Sequence, residues 1–188
     1  RVPQFHATEP VSINNHRKQN KQNMKVFIDY ISGDEFLSDS FPHEITMNDA
    51  CIEAKAKYVT KGAETVMIAT DEEEEDQEGE TVVDIQDKFD LQEVQGFTKA
   101  DFMTWARGYL GKVTQKLKDL GKDERVPEFK KGATQLVKLI AANFAEMQIF
   151  AGQRNDFEGA FCFAYQKNQE DEGPTFLFFK DGLKEQKF

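Results

Sequence analysis

The pattern of hydrophobic and polar positions predicts short strands in both halves of the chain and two helices between them. Alternating or clustered apolar residues bounded by turn residues are typical of strands and occur at 24–29, 51–60, 81–85, 89–94, 160–166 and 176–180. Within 51–60, Ala54 and Ala56 share one face, and Lys55 and Lys57 share the other. Strands on both sides of a helical pair predict an α+β fold of mainly antiparallel strands, in which strands distant in sequence pair.

The two helices are predicted within residues 98–146. Thr98 is a candidate N-cap, and Asp101 stands where a capping box needs an acceptor. The apolar stripe of the first helix is Phe102, Trp105, Tyr109, Val113, Leu117 and Leu120, and Gly121 is typical of a helix end. The second helix begins near Glu124 with Pro127 in its first turn, and its stripe is Phe129, Ala133, Leu136, Val137, Ile140 and Phe144. The short connection predicts an antiparallel helical hairpin.

Two segments lack any hydrophobic period. Residues 1–23 carry a charge of +3 and are polar, which predicts a disordered basic leader, either an extension or a tag. Residues 64–80 hold nine Asp or Glu and no Lys or Arg, which predicts a mobile acidic loop because like charges repel. Residues 24–188 are therefore expected to form a single domain that contains this loop.

Composition limits the classes of function. The 188 residues include 17 Phe, which predicts a large aromatic core, and the net charge is −10. This acidity argues against nucleic acid as a partner, since binding to phosphates needs a basic surface. The sequence shows neither a membrane-spanning apolar run nor a secretory signal. We expect a cytoplasmic monomer in which Cys51 and Cys162 are buried, reduced thiols.

Motifs for catalysis are missing from the sequence. The three His are at 6, 16 and 43, and there is no P-loop, HExxH, CxxC or GxSxG pattern. These observations favour a protein that is not an enzyme and that has no structural metal. Catalytic groups can still converge from distant segments, and a redox or small-molecule role for Cys51 or Cys162 is a further alternative.

The acidic block is a candidate calcium site. Calcium prefers several oxygen ligands, and the candidate ligands are Asp71, Glu72, Glu73, Glu74, Glu75 and Asp76. The spacing of an EF-hand is missing, and ordering a flexible segment costs conformational entropy. We therefore expect weak calcium binding; the alternative is a loop that only carries solvated charge.

The predicted hairpin is a candidate surface for an acidic partner. Residues 98–146 hold ten Lys or Arg against six Asp or Glu, so the hairpin is positive while the whole chain is negative. The lysines concerned are Lys112, Lys116, Lys118, Lys122, Lys130, Lys131 and Lys138. Lys112, Lys116, Lys130 and Lys131 are the predicted contacts to an acidic partner, of which the acidic tails of tubulin are one example. The alternative is an ordinary solvated helix face.

A carboxylate pair lies in the first turn of the predicted domain. Asp34 and Glu35 directly follow Ser32 and Gly33, which are typical turn residues. On a rigid turn, the pair could contact a cationic patch of a partner. The alternative is that both carboxylates only stabilise the turn.

Several stretches, taken in their order and spacing, resemble the translationally controlled tumour protein family. They are Met24-Lys25-Val26-Phe27, Ser32-Gly33-Asp34-Glu35, Phe97-Thr98-Lys99, Glu124-Arg125-Val126-Pro127, Ala141-Ala142-Asn143-Phe144 and Phe178-Phe179-Lys180-Asp181-Gly182-Leu183. The resemblance extends over residues 24–188. It implies a β-tent core with a projecting helical hairpin, similar to a zinc-binding chaperone of Rab-type GTPases but without the zinc.

The resemblance also implies a function. It indicates a cytoplasmic and partly nuclear protein of growth and survival that binds calcium and tubulin and has no catalytic activity. Glu35 matches the family glutamate associated with small GTPases, so the alternative function is a guanine-nucleotide exchange factor or chaperone for such a GTPase. Phe27 stands where the family usually has Tyr, Gln153 stands where it usually has Glu, and its loop signature is not recognisable around 63–70. These departures count against the GTPase role.

Overall fold

The computed structural model describes residues 24–61 and 79–188. Within these ranges the strands are β1 (Lys25–Asp29), β2 (Glu35–Ser38), β3 (His43–Thr46), β4 (Cys51–Lys55), β5 (Tyr58–Lys61), β6 (Glu80–Val83), β7 (Gln92–Glu93), β8 (Gln148–Ala151), β9 (Phe161–Tyr165), β10 (Thr175–Phe179) and β11 (Leu183–Lys187). The helices are α1 (Asp84–Lys88), α2 (Lys99–Asp119) and α3 (Val126–Ala142), and short 3-10 turns lie at Asp123–Arg125, Phe144–Glu146 and Lys180–Gly182.

The paired strands of the described residues are antiparallel, which confirms the predicted α+β class. The main sheet has the order β3-β4-β10-β9-β8-β7, the second has the order β11-β1-β2, and β5 pairs with β6. The last strand pairs with the first, with Lys187 opposite Lys25. In the main sheet, β10 lies between β4 and β9. Strands from the two ends of the domain therefore pair with each other, β1 with β11 and β4 with β10.

The cap of α2 has the predicted form. The Thr98 hydroxyl accepts a hydrogen bond from the Asp101 backbone N–H at 3.2 Å, and the Asp101 carboxylate accepts one from the Thr98 backbone N–H at 2.9 Å. This capping box satisfies donors that a helix start leaves unpaired. At the other end, Gly121 adopts a φ of +68°. The stripe prediction is wrong for Leu120, which is 43% exposed because it is the C-cap residue, where the chain turns away.

Aromatic residues attach the hairpin to the main sheet. Phe102 on α2 packs edge-on against Phe163 of β9, with 5.3 Å between ring centroids, and Trp105 stacks on Phe161 at 4.8 Å. Tyr109 contacts Phe179 of β10 at 6.2 Å. These rings include four of the 17 Phe residues. The first helix of the hairpin is thus anchored to the main sheet along its aromatic face.

Three strand predictions are corrected by the structure. The predicted strand 51–60 is broken between Lys55 and Tyr58, since Ala56 N–H donates to Pro174 O and Lys57 N–H to the Asp84 carboxylate. Ala54 and Ala56 are buried, and Lys55 and Lys57 are exposed, so the two faces are as predicted.

The predicted strand 81–85 ends at Val83, and α1 follows it. The Asp84 carboxylate accepts a hydrogen bond from Ile85 N–H at 2.7 Å at the start of this helix. Of the predicted strand 89–94, only Gln92 and Glu93 form a strand, β7.

The acidic segment is described only at its end. Glu80 was predicted to belong to the loop, but it lies in β6 opposite Lys61. The predicted leader, residues 1–23, and the candidate calcium ligands at 71–76 lie outside the described residues.

Candidate functional site

The turn before Glu35 is held by a buried carboxylate. Asp29 is 1% exposed, and its Oδ2 accepts hydrogen bonds from Ser32 N–H at 2.7 Å and from Ala160 N–H at 3.0 Å. Its Oδ1 accepts a third from the Tyr109 hydroxyl at 3.0 Å. One carboxylate thus ties β1, the turn, α2 and the loop before β9 together, so the turn is rigid.

The two carboxylates predicted in this turn have different environments. Asp34 is buried, forms an ion pair with Arg154 Nε at 3.4 Å, and accepts a hydrogen bond from Arg154 N–H at 3.3 Å. Glu35 is exposed at the first position of β2. Asp34 therefore stabilises the turn, as the plainer interpretation held, and Glu35 alone is displayed.

Glu35 lines a cleft of about 250 Å³. Its lining also includes Lys88 at the end of α1 and Asp90, whose φ is +50°. Arg154 and Gln153 line the cleft as well, and the Gln153 amide donates to Asp90 at 3.3 Å. Lys88 and Asp90 are not among the predicted site residues, because the apolar pattern around them predicts strands and gives no sign of α1. The cleft is lined by both acidic and basic side chains. Such a lining suits contact with a polar surface of another protein.

The four lysines predicted to contact tubulin do not form one patch. Lys112 forms an ion pair with Glu158, and Lys116 Nζ lies 5.4 Å from the centroid of the Tyr30 ring. Both are half-buried on the side of α2 that faces the β-rich body. Lys130 and Lys131 are exposed on α3 and form no ion pair with any described residue.

Lys130 lines a groove between the helices. This groove has a volume of about 430 Å³ and is bordered by Arg107 and Gln115 of α2 and by Thr134 of α3. Of the four lysines predicted to contact tubulin, the two on α3 are therefore the ones available to an acidic partner.

Both cysteines are free and buried, in β4 and β9, as predicted. Burial raises the pKa of Cys51 from 9.0 to about 12, and burial also raises the pKa of Cys162. A thiolate is the reactive form of cysteine, so this environment disfavours a redox role for either residue.

We expect neither thiol to react with an alkylating reagent at pH 8 in the native protein, and both to react after denaturation. The raised pKa values also affect stability. As pH rises above about 9, unfolded thiols lose protons that folded thiols keep, so the free energy of unfolding falls. Rapid native labelling of Cys51 or Cys162, measured by mass spectrometry, would contradict this prediction.

Within residues 24–61 and 79–188, no group of three His, Cys, Asp or Glu side chains is placed to hold a metal ion. None of the helices in these ranges combines the length and the apolarity needed to cross a membrane.

Comparison with known proteins identifies the family. The family model described as translationally controlled tumour protein matches residues 24–184. The translationally-controlled tumor protein homolog of Theileria parva is 35% identical over 176 residues, which cover 88% of this chain and 100% of the relative. The homolog of Theileria annulata is 32% identical with the same coverage.

Solved structures agree with this result. The translationally controlled tumor-associated protein p23fyp of Schizosaccharomyces pombe superimposes with a TM-score of 0.69 at 29% identity, over 87% of this chain and 99% of that one. The translationally-controlled tumor protein of Caenorhabditis elegans has a TM-score of 0.64 at 23% identity, over 87% and 98% of the two chains, and supports the fold. The chain therefore belongs to the translationally controlled tumour protein family.

Proposed function

We propose that this chain is a non-enzymatic protein that binds several partners and acts in growth and survival. Tubulin is the first proposed partner, and calcium is a weakly bound ligand. We place the protein in the cytoplasm and partly in the nucleus, as a monomer that neither binds nucleic acid nor inserts into membranes. The proposal rests on family membership and on charged side chains that the fold displays without using them internally.

The observation that carries the tubulin proposal is the exposed cationic side of α3. Lys130 and Lys131 are exposed and without an ion pair among the described residues, whereas Lys112 is engaged by Glu158. Exposed cations on an acidic protein attract acidic partners over a Debye length of about 10 Å. Lys130 and Lys131 are therefore the contacts most accessible to tubulin, and Lys112 and Lys116 would contribute less.

We expect the double variant Lys130→Ala/Lys131→Ala to bind tubulin about 3- to 10-fold more weakly, because each exposed charge pair contributes about 0.2–1 kcal/mol. Co-sedimentation with polymerised tubulin at low salt measures this affinity. The matched control is Lys55→Ala/Lys187→Ala, which removes the same charge from exposed strand positions. Equal losses in the two variants would show that overall charge, and not α3, determines binding.

A small GTPase is the second proposed partner, with the chain acting as exchange factor or chaperone. The observation that favours it is the division of the first turn, in which Asp34 and Asp29 anchor the backbone and Glu35 is exposed. A carboxylate on a rigid support loses little entropy when it binds. An exchange factor must also bind the nucleotide-free GTPase more tightly than the loaded form.

The test is release of a fluorescent nucleotide from candidate GTPases. We expect Glu35→Gln to reduce the stimulated release about fivefold or more, since truncating one partner of a buried, hydrogen-bonded charge pair in an interface costs about 2–5 kcal/mol. Glu170→Gln, at an exposed position between β9 and β10, is the control and should leave the rate unchanged. If the wild-type chain does not accelerate release, the exchange function is wrong.

For calcium, the proposed ligands remain Asp71, Glu72, Glu73, Glu74, Glu75 and Asp76. Several carboxylates close in sequence provide the hard oxygen ligands that calcium prefers. A calcium titration followed by NMR should shift the amide signals of residues 71–76. Shifts centred on the folded strands and helices instead would refute this assignment.

A further inference from the structure

A second basic cleft lies where the α2–α3 connection meets the C-terminal strand. It has a volume of about 530 Å³, within the range of ligand-binding clefts, which is about 300–1,000 Å³. Its cations come from three separate segments: Lys122 from the connection, Lys180 from the 3-10 turn after β10, and Lys184 from β11. It shares no lining residue with the groove beside Lys130, so it is a different surface from the α3 cations proposed to contact tubulin, although Lys116 of α2 contacts the Tyr30 ring that lines it.

The three lysines are not neutralised by the described residues. None of them takes part in an ion pair there. The acidic residues of the cleft are mostly engaged, since Asp181 pairs with Arg125 and Glu185 pairs with Lys25 at 3.0 Å. Glu124 is the remaining carboxylate of the lining, so the cleft has an excess of positive charge although the protein is acidic.

The walls of the cleft are fixed by a forked ion pair. Arg125 Nε and Nη2 donate to the two Asp181 carboxylate oxygens at 2.7 and 2.8 Å, and Nη1 donates to Asn48 O at 2.9 Å. Hydrogen bonding to Asp181 raises the pKa of Arg125. On the other wall, Tyr30 N–H donates to Gly182 O at 2.9 Å. The lysines therefore project from a frame that is already ordered.

The cations indicate which anion fits. A compact phosphate is held in a defined geometry by a guanidinium fork or by several backbone N–H groups, whereas lysine binds it only as a point charge. The guanidinium lining this cleft, Arg125, already uses its fork on Asp181 and Asn48. Three flexible ammonium groups on separate segments suit several carboxylates spread along a chain. The floor includes Leu117, Leu183 and the Tyr30 ring, which can contact apolar parts of a peptide.

We propose that this cleft binds a carboxylate-rich peptide segment of a partner protein, through Lys122, Lys180 and Lys184. The segment would carry alternating or clustered Glu or Asp with an aromatic or aliphatic residue that lies on Tyr30 and Leu183. This site adds a peptide-binding function to the protein and does not depend on tubulin or a GTPase being the partner.

The test uses a fluorescein-labelled octapeptide of seven Glu and one Tyr, with the full chain, measured by fluorescence anisotropy at low salt. We expect saturable binding that each single Lys→Ala change at these positions weakens about 2- to 5-fold, and that the triple change weakens by about 10-fold or more. Glu124→Gln should tighten binding about 2-fold because it removes the repelling carboxylate.

The matched control is Lys130→Ala/Lys131→Ala/Lys138→Ala, which removes the same charge from exposed positions of α3. It should bind the peptide within 2-fold of the wild type, whereas equal losses in the two triple variants would overturn the proposal.

Inorganic phosphate is the second probe. If phosphate shifts the NMR signals of Tyr30 and Leu183 saturably and displaces the peptide, the cleft is a phosphate site and the peptide assignment is wrong. Loss of tubulin co-sedimentation in the α3 variant only, with peptide binding intact, separates the two proposed surfaces.

Discussion

Replacing Gly132 by alanine is expected to lower the free energy of unfolding by about 1–3 kcal/mol, the usual cost of overpacking a core. Gly132 lies on the buried face of α3, where an added Cβ would overlap the backbone oxygen of Met47 and lie 2.6 Å from Ala50 Cβ. The overlapping atom belongs to the backbone, so it cannot move aside as a flexible side chain could. Met47, Asn48 and Asp49 all have positive φ values, of 53°, 55° and 60°, a conformation that most residues avoid and that Asn and Asp tolerate better.

The control for this prediction is an exposed glycine on α2. An added Cβ at Gly108 would meet no atom within 4 Å, so Gly108→Ala should stabilise the protein by about 0.5–1 kcal/mol through helix propensity. Urea unfolding followed by circular dichroism measures both variants. The free energy of unfolding is expected to fall in Gly132→Ala and to rise in Gly108→Ala, although the chemical change is the same. Stabilisation of both variants would show that α3 is not packed closely on the turn at Met47.

Replacing Asp29 by alanine is expected to cost at least about 3 kcal/mol. Its carboxylate accepts hydrogen bonds from Ser32 N–H, Ala160 N–H and the Tyr109 hydroxyl. Each buried donor left without an acceptor costs about 1–3 kcal/mol. The turn that carries Glu35 should loosen as well, which faster amide hydrogen exchange at Ser32 and Gly33 would reveal.

The comparison variant is Tyr109→Phe, which removes one donor and keeps the carboxylate. We expect it to cost about 1.5 kcal/mol, clearly less than Asp29→Ala.

Burial and the neighbouring Asp29 raise the pKa of Tyr109. An unfolded tyrosine therefore ionises first as pH rises above about 10, and stability falls. This alkaline loss should be smaller in Tyr109→Phe, and an equal cost for both variants would mean that the backbone donors contribute nothing.

Much of the fold could be predicted from local patterns. The capping box at Thr98 and Asp101 and the spaced apolar residues of both helices are signals within a few residues of each other, and the structure has them as predicted. The error at α1 arose because its five residues are too few for a helical period to differ from the neighbouring strands. Leu120 was misplaced because its spacing fits the stripe, although the chain turns at that residue.

The candidate sites were less predictable because their residues come from distant segments. Asp34 and Glu35 are neighbours of the same chemical type, and only the presence of Arg154 beside one of them makes their roles different. Lys112 and Lys130 are both lysines on a basic hairpin, yet Glu158 engages only the first. Charge counts therefore located the hairpin as a basic element without showing which cations are available.

The sequence by itself determined the two long helices, the strand-rich ends, the buried thiols and the family, because capping residues, apolar spacing and short motifs are local properties. Only the tertiary structure decided the pairing of β11 with β1, the exposure of Glu35 beside buried Asp34, and the cleft of Lys122, Lys180 and Lys184. These features depend on contacts between residues far apart in the chain. Such contacts form when strands from the two ends of the domain pair, and no local pattern of residues specifies this pairing.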